Sequence, residues 1–146
     1  MNAAPGGWPE MAMKGKDKFM RRLKRLNEGV VEVAGKVVFV GSDMIRAEAF
    51  RSISEGSVSG KGHVPSLPGQ PPNRDTGVLQ AHITNEKTGP LTAEVRSDAP
   101  YAAALEFGTS RIAERPYMRP ARDKSEPKIN RLFEAEMSKL VARNGT

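Results

Sequence analysis

Val30-Val-Glu-Val-Ala-Gly-Lys-Val-Val-Phe-Val40 admits two opposite readings. Its β-branched residues would suit a pair of strands. In the longer window, however, Val30, Val33, Ala34, Val37, Val38, Gly41, Met44, Ile45 and Ala49 recur at steps of three and four, the period of one helix face. Helix is therefore expected to about Ser54. Ala34, Gly35 and Gly41 are small enough to let a second element approach closely, at a helix-propensity cost of about 1 kcal/mol per glycine. Upstream, Phe19, Met20, Leu23 and Leu26 repeat in the same way from Asp17 onward, with basic residues between them. Asn27 and Gly29 either end that first helix or bend it.

On either side of this region the pattern changes. Residues 1–13 combine Pro, Gly and small residues without an apolar period, which predicts a flexible N-terminal arm ahead of a single domain over 14–146. Trp8 within it reads either as a local contact or as an anchor in a neighbouring subunit's pocket. From Glu55 to Thr76 four Pro and four Gly accompany Ser and Lys with no hydrophobic period, so a loop of about 20 residues is expected. The run Pro65-Ser-Leu-Pro-Gly-Gln-Pro-Pro72 is partly pre-extended, which favours docking along another subunit; solvent disorder is the alternative.

Asp75-Thr-Gly reads as a turn with a capping carboxylate, leading into an alternating segment of Leu79, Ala81 and Ile83. Lys87-Thr-Gly-Pro90 returns the chain into Leu91, Ala93 and Val95, making an antiparallel hairpin with one buried face. Asp98-Ala-Pro-Tyr101 is expected to cap a short helix, Ala102 to Phe107, that Gly108 stops. A last amphipathic helix carries Ile129, Leu132, Phe133, Met137, Leu140 and Val141 on one stripe. The fold class is α+β: a long N-terminal helical region, a sheet built on a hairpin, a short helix and a C-terminal helix.

The 146 residues suit one domain with a modest core, and aromatics make up only 5% of them, so that core must be mostly aliphatic. No run approaches the roughly 18 apolar residues of a membrane span. The first basic residue, Lys14, has no apolar segment before it, so the start does not read as a secretory signal. With no cysteine, disulfides and thiolate metal sites are excluded. The net charge of +6 lies at the two ends: residues 1–60 carry ten Lys and Arg against seven Asp and Glu, residues 61–100 four against four, and residues 101–146 nine against six. Interleaved signs of this kind read first as solvated helix faces and second as a surface toward nucleic acid. The cluster Lys14 to Arg25 lacks interleaved aromatics, so any DNA contact would run through phosphates.

Material for catalysis is poor. His63 and His82 have no partner spacing for zinc, and Ser57-Val-Ser-Gly-Lys-Gly62 lacks the first glycine of a phosphate loop. Asp75 and Glu106 are the only carboxylates worth weighing as a pair, but Asp75 reads better as a turn cap and Glu106 as the partner of a nearby Arg. No catalytic, cofactor or metal residue is assigned, and no enzyme activity is expected.

Three motifs stand in order along the chain: Pro71-Pro-Asn-Arg-Asp-Thr-Gly-Val-Leu79, Tyr101-Ala-Ala-Ala-Leu-Glu-Phe-Gly-Thr109 and Arg115-Pro-Tyr-Met-Arg-Pro120. Over about residues 17–142 their order and spacing resemble the tail-component family of tailed phages, the gene-product-ten family of lambdoid phages. Tyr117 and Met118 stand where that family more often has Phe and Leu, changes that keep the volume. Each motif also has a physical reason: a permissive glycine in Asp-Thr-Gly, a buried aromatic and glycine stop in Glu-Phe-Gly-Thr, and prolines where the last helix begins.

The resemblance implies a virion protein of the head–tail junction, made in the bacterial host's cytoplasm. It would form a homo-oligomeric ring, six-fold favoured, around the DNA channel. Its partners would be the head connector or stopper and the tail tube or tail terminator, with DNA passing through without sequence-specific binding. A tail terminator capping the tube, or a basic DNA-binding module, are the competing readings. The residues expected at subunit interfaces or in the family's motifs are Trp8, Pro68, Pro71, Pro72, Asp75, Thr76, Gly77, Leu79, Tyr101, Glu106, Phe107, Gly108, Thr109, Arg115, Pro116, Tyr117, Arg119 and Pro120.

Overall fold

A computed structural model describes residues 11–55 and 60–144. The ambiguous valine-rich segment lies inside one continuous helix, α1, Met11–Ser54, of 44 residues and about 66 Å at 1.5 Å per residue. The three-four spacing wins over β propensity because it places Val37, Ala49 and Ile53 in buried positions along the helix, each 4% exposed or less. Asn27 and Gly29 do not end the helix. It starts at Met11, inside the stretch read as an arm and ahead of Asp17. Trp8 and the rest of the arm, residues 1–10, lie outside the described residues.

After α1 come a 3-10 turn, Gly60–Gly62, and a single-turn helix, α2, Val78–Ala81. The hairpin follows as β1, Ile83–Gly89, and β2, Thr92–Ser97. Then come a short helix, α3, Ala102–Phe107, and the long α4, Met118–Asn144. The strands pair antiparallel with Ile83 opposite Ser97, Asn85 opposite Val95 and Glu86 opposite Glu94, and a register shift falls between Lys87 and Gly89. The hairpin begins later than the alternation of Leu79, Ala81 and Ile83 suggests. Leu79 and Gln80 are buried by a helical turn instead, and the Gln80 Nε2 donates to the Phe50 carbonyl at 3.0 Å. Leu91 is left exposed in the turn.

The second helix, α4, lies antiparallel on α1. Gly29 faces Leu140, Gly41 faces Ile129, and Glu48 pairs with Lys124, so rising numbers on one helix meet falling numbers on the other. Along α4, Leu140 is buried, but Phe133 (42% exposed) and Val141 (59%) leave the stripe the sequence assigned them and face outward. The hairpin covers another side of α1, where the Ser42 hydroxyl donates to Asn85 Oδ1 at 2.7 Å. Gly35 makes that approach possible: a Cβ there would stand 2.5 Å from the Pro90 carbonyl oxygen.

The core gathers at the C-terminal half of α1: Ala49, Ile53, Leu79, Ile83, Ala99, Ala102, Tyr117 and Ala121, flanked by Ile45, Val95, Leu105 and Met118. Four of these eight buried residues are alanines, so Tyr117, 1% exposed, fills much of the space.

Candidate functional site

All three motifs meet at one end of the molecule, around the start of α4. That helix has no acidic residue in its first turn, so its N-terminal N–H groups need an acceptor from elsewhere. Glu106, on α3 and 6% exposed, provides it. Its carboxylate accepts from the backbone N–H groups of Tyr117 at 2.9 Å, Met118 at 3.0 Å and Arg119 at 2.9 Å. The negative charge thereby sits on the positive end of the α4 dipole. The Arg119 guanidinium folds back over it, donating to Glu106 Oε1 at 3.3 Å, to the Glu106 carbonyl at 3.0 Å and to Glu114 Oε2 at 3.1 Å. Burial opposes ionisation of Glu106, but the three backbone donors and Arg119 outweigh it and hold the carboxyl below its ordinary value.

The sequence reading of Glu106 as an arginine's partner thus stands, and its larger role as a tertiary helix cap was missed. Phe107 is the reverse case. The motif suggested a buried aromatic, yet its ring is 68% exposed and lies under the Arg119 guanidinium at 5.5 Å. The aromatic that fills the interior is Tyr117. Pro116 precedes α4, and Pro120 sits in its first turn, where the missing N–H costs nothing.

Gly108 ends α3 with φ 71° and ψ 174°, a conformation close to exclusive to glycine, and its N–H donates to the Ala104 carbonyl. Thr109 then folds the next turn, its Oγ1 accepting from the N–H groups of Arg111 and Ile112. The segment continues to Arg115, whose N–H donates to the Leu105 carbonyl.

Onto this platform the Gly/Pro-rich loop docks. The Gly69 N–H donates to the Glu114 carbonyl at 2.9 Å, Arg115 Nε to the Ser66 carbonyl at 3.1 Å, and the Arg74 N–H to the Ile53 carbonyl at 3.0 Å. Asn73 Nδ2 closes the loop on itself through the Val64 carbonyl. The described part of the loop therefore rests on its own chain, with Ser66 and Pro72 buried and Pro68 exposed, and solvent disorder does not describe it. Hydrogen bonding explains the difference, because these backbone groups find partners within the molecule.

Asp75 does not cap as expected. It is exposed, and α2 begins at Gly77 (φ 83°) without a side-chain cap. Likewise α3 starts at Tyr101 with no side-chain cap, and Asp98 pairs with Arg96 at 3.4 Å instead. A cleft of about 460 Å³ opens between loop and body, lined by Ser66, Pro72, Arg74, Asp75, Tyr101 and Arg115 among others. Thr76 and Leu79 line it too, so most motif residues reach either this cleft or the α4 cap. Asp75 and Glu106 do not form a working pair, since Glu106's oxygens are taken by α4. Among the described residues no group of His, Asp or Glu is arranged to hold a metal, and no helix is long and apolar enough to cross a membrane.

The cap gives acid sensitivity a definite sign. Glu106 and Glu48 both have folded values below the ordinary 4.5, Glu48 because Lys124 bonds to it against the pull of burial, with Arg51 adding to the effect. A lowered folded value means stability that is complete above the ordinary value and lost as pH falls through the folded one. Urea midpoints are expected to stay flat from about pH 7 to 5.5 and to fall below about pH 4.5, with a shallower fall in Glu106→Gln.

Comparison with known proteins agrees with the motifs. The family described as "Bacteriophage HK97-gp10, putative tail-component" matches residues 17–108, from the first helix through the glycine that stops α3. Arg115–Pro120 and α4 lie beyond the matched residues, so the likeness read from the sequence over 17–142 is shorter by its last motif. No curated protein and no solved structure matches the chain. With the match covering more than half of its residues, the chain belongs to the HK97 gp10-like family of bacteriophage tail components.

Proposed function

We propose that this tail component is the subunit of a homo-oligomeric ring, six-fold favoured, at the head–tail junction, completing the tail and joining it to the head connector. In this reading residues 14–146 act as one tail-component domain in the virion, assembled in the host cytoplasm, and DNA passes through the lumen without sequence-specific contacts. The observation that carries it is the presence of two separate apolar surfaces on one small chain. One is on the N-terminal half of α1, where Phe19, Met20 and Leu23 are 59%, 54% and 44% exposed. The other lies in the loop, where Val64 and Leu67 are 63% and 67% exposed, with Phe107 at the end of α3 a further open apolar residue at 68%. A head-to-tail ring needs two different patches per subunit, whereas a two-fold dimer needs one.

The purified chain is expected to sediment as one discrete oligomer, alone or once mixed with tails made without it. A chain that stays monomeric in both conditions and holds DNA with a steep salt slope would instead be a DNA-binding module.

A further inference from the structure

The core-facing stripe of α1 continues past the elements that cover it. Leu140 meets α1 at Gly29, and α4 ends only four residues later at Asn144, so α1 residues before about Leu26 extend beyond its partner helix. Yet Phe19, Leu23, Leu26, Val30, Val37 and Gly41 follow one another at steps of four, three, four, seven and four, one unbroken face. Val37 and Gly41 are buried by it, while Phe19 and Leu23 lie open. A helix segment of this length standing by itself is marginal in water. Among the described residues nothing covers it.

The flanks of the open stripe indicate what fits it. Lys16, Lys18, Arg21, Arg22, Lys24 and Arg25 surround it against Asp17 and Glu28 alone. The molecule carries one helix face of the opposite character. On the outward side of α4, Glu126, Asn130, Phe133, Met137 and Val141 fall at steps of four, three, four and four, with Glu134 beside them. Phe133 and Val141 are the exposed apolar residues of that helix, and Glu126 and Glu134 make no ion pair among the described residues. The basic Lys128, Arg131 and Lys139 project from other sides by helical angle.

We propose that residues 16–27 of α1 in one copy pack along residues 126–141 of α4 in the next copy, apolar stripe on apolar stripe with basic flanks against acidic ones. The contact joins two different surfaces, so repeated head to tail it builds a ring when its rotation closes. It rests on the ring reading above, takes the α1 surface named there and gives it a partner, the outward face of α4. Opposite charges fix which faces meet, and the apolar residues supply the area.

Charge reversal in the full-length chain tests this, read by sedimentation alone and with tails made without the protein. Lys16→Glu with Arg22→Glu and Lys24→Glu reverses one face; Glu126→Lys with Glu134→Lys reverses the other. All five positions are exposed, so circular dichroism and melting temperature should match the wild type. Each set alone is expected to weaken assembly by about tenfold or more, and the two combined in one chain to restore it. Two impaired sets without rescue, or an α1 set that assembles normally, overturn this interface while the ring reading stands. So does an α1 set that loses only DNA retention, which would make the segment a DNA surface. A wild-type chain that never assembles in either condition overturns the ring reading and this interface with it.

Discussion

Glu106→Ala is expected to destabilise the protein by about 3 kcal/mol and to lower its melting temperature by about 10 °C, the shift per kcal/mol usual for a domain near this size. The substitution removes the acceptor of three backbone N–H groups at the start of α4 and one of the two carboxylate partners of Arg119 at once. A local N-cap substitution typically costs about 1 kcal/mol, because water can take over an exposed N–H. Here Tyr117 is buried, so its freed N–H has little access to solvent, and the cost rises toward that of orphaned buried donors. Glu106→Gln keeps one acceptor oxygen and should lose about half as much. Thermal unfolding by circular dichroism measures both. An Ala variant melting within about 1 °C of the wild type would mean that the carboxylate does not hold α4 in place.

Gly108→Ala should cost a similar amount, about 3 kcal/mol, by a different route. At φ 71° an L side chain is strained, and its Cβ would stand 3.0 Å from both the Glu114 nitrogen and the Ile112 carbonyl oxygen. Both are backbone atoms and cannot swing aside as a side chain does. The segment they belong to supports the Gly/Pro loop through Glu114 and Arg115, so its displacement should be felt there. Hydrogen exchange at residues 66–74 is expected to accelerate in this variant beyond what the global loss of stability explains. Unchanged protection in the loop would show that it is held by something other than the Thr109–Arg115 platform.

These two residues also mark how far the sequence could be read. The long helix was legible because its apolar period runs from Phe19 to Ala49, about eight turns, long enough to outweigh a valine-rich composition. The hairpin was legible as a pair but not in its start. Leu79, Ala81 and Ile83 mimic strand alternation while the first two belong to a single helical turn, and four residues are too few for either period to win. Gly108 was recognisable as a helix stop from its position alone. The Glu106 cap was not, because it joins residues eleven to thirteen apart through the tertiary fold. One signal was available: the start of α4, Arg115-Pro-Tyr-Met, offers no Ser, Thr, Asp or Asn to cap the helix, so an acceptor had to come from elsewhere. That the loop is ordered was hidden for a related reason. Composition reports what a segment cannot do on its own, and here the partners for its backbone groups sit on distant parts of the same chain.

In the role proposed above, this tail component completes the tail at its junction with the head. Electron microscopy of particles produced without the protein tests it most directly. Full-length tails and DNA-filled heads that fail to join are expected. Tails of uncontrolled length would point to a terminator's role instead, and normal joined, infectious particles would contradict a role in tail completion.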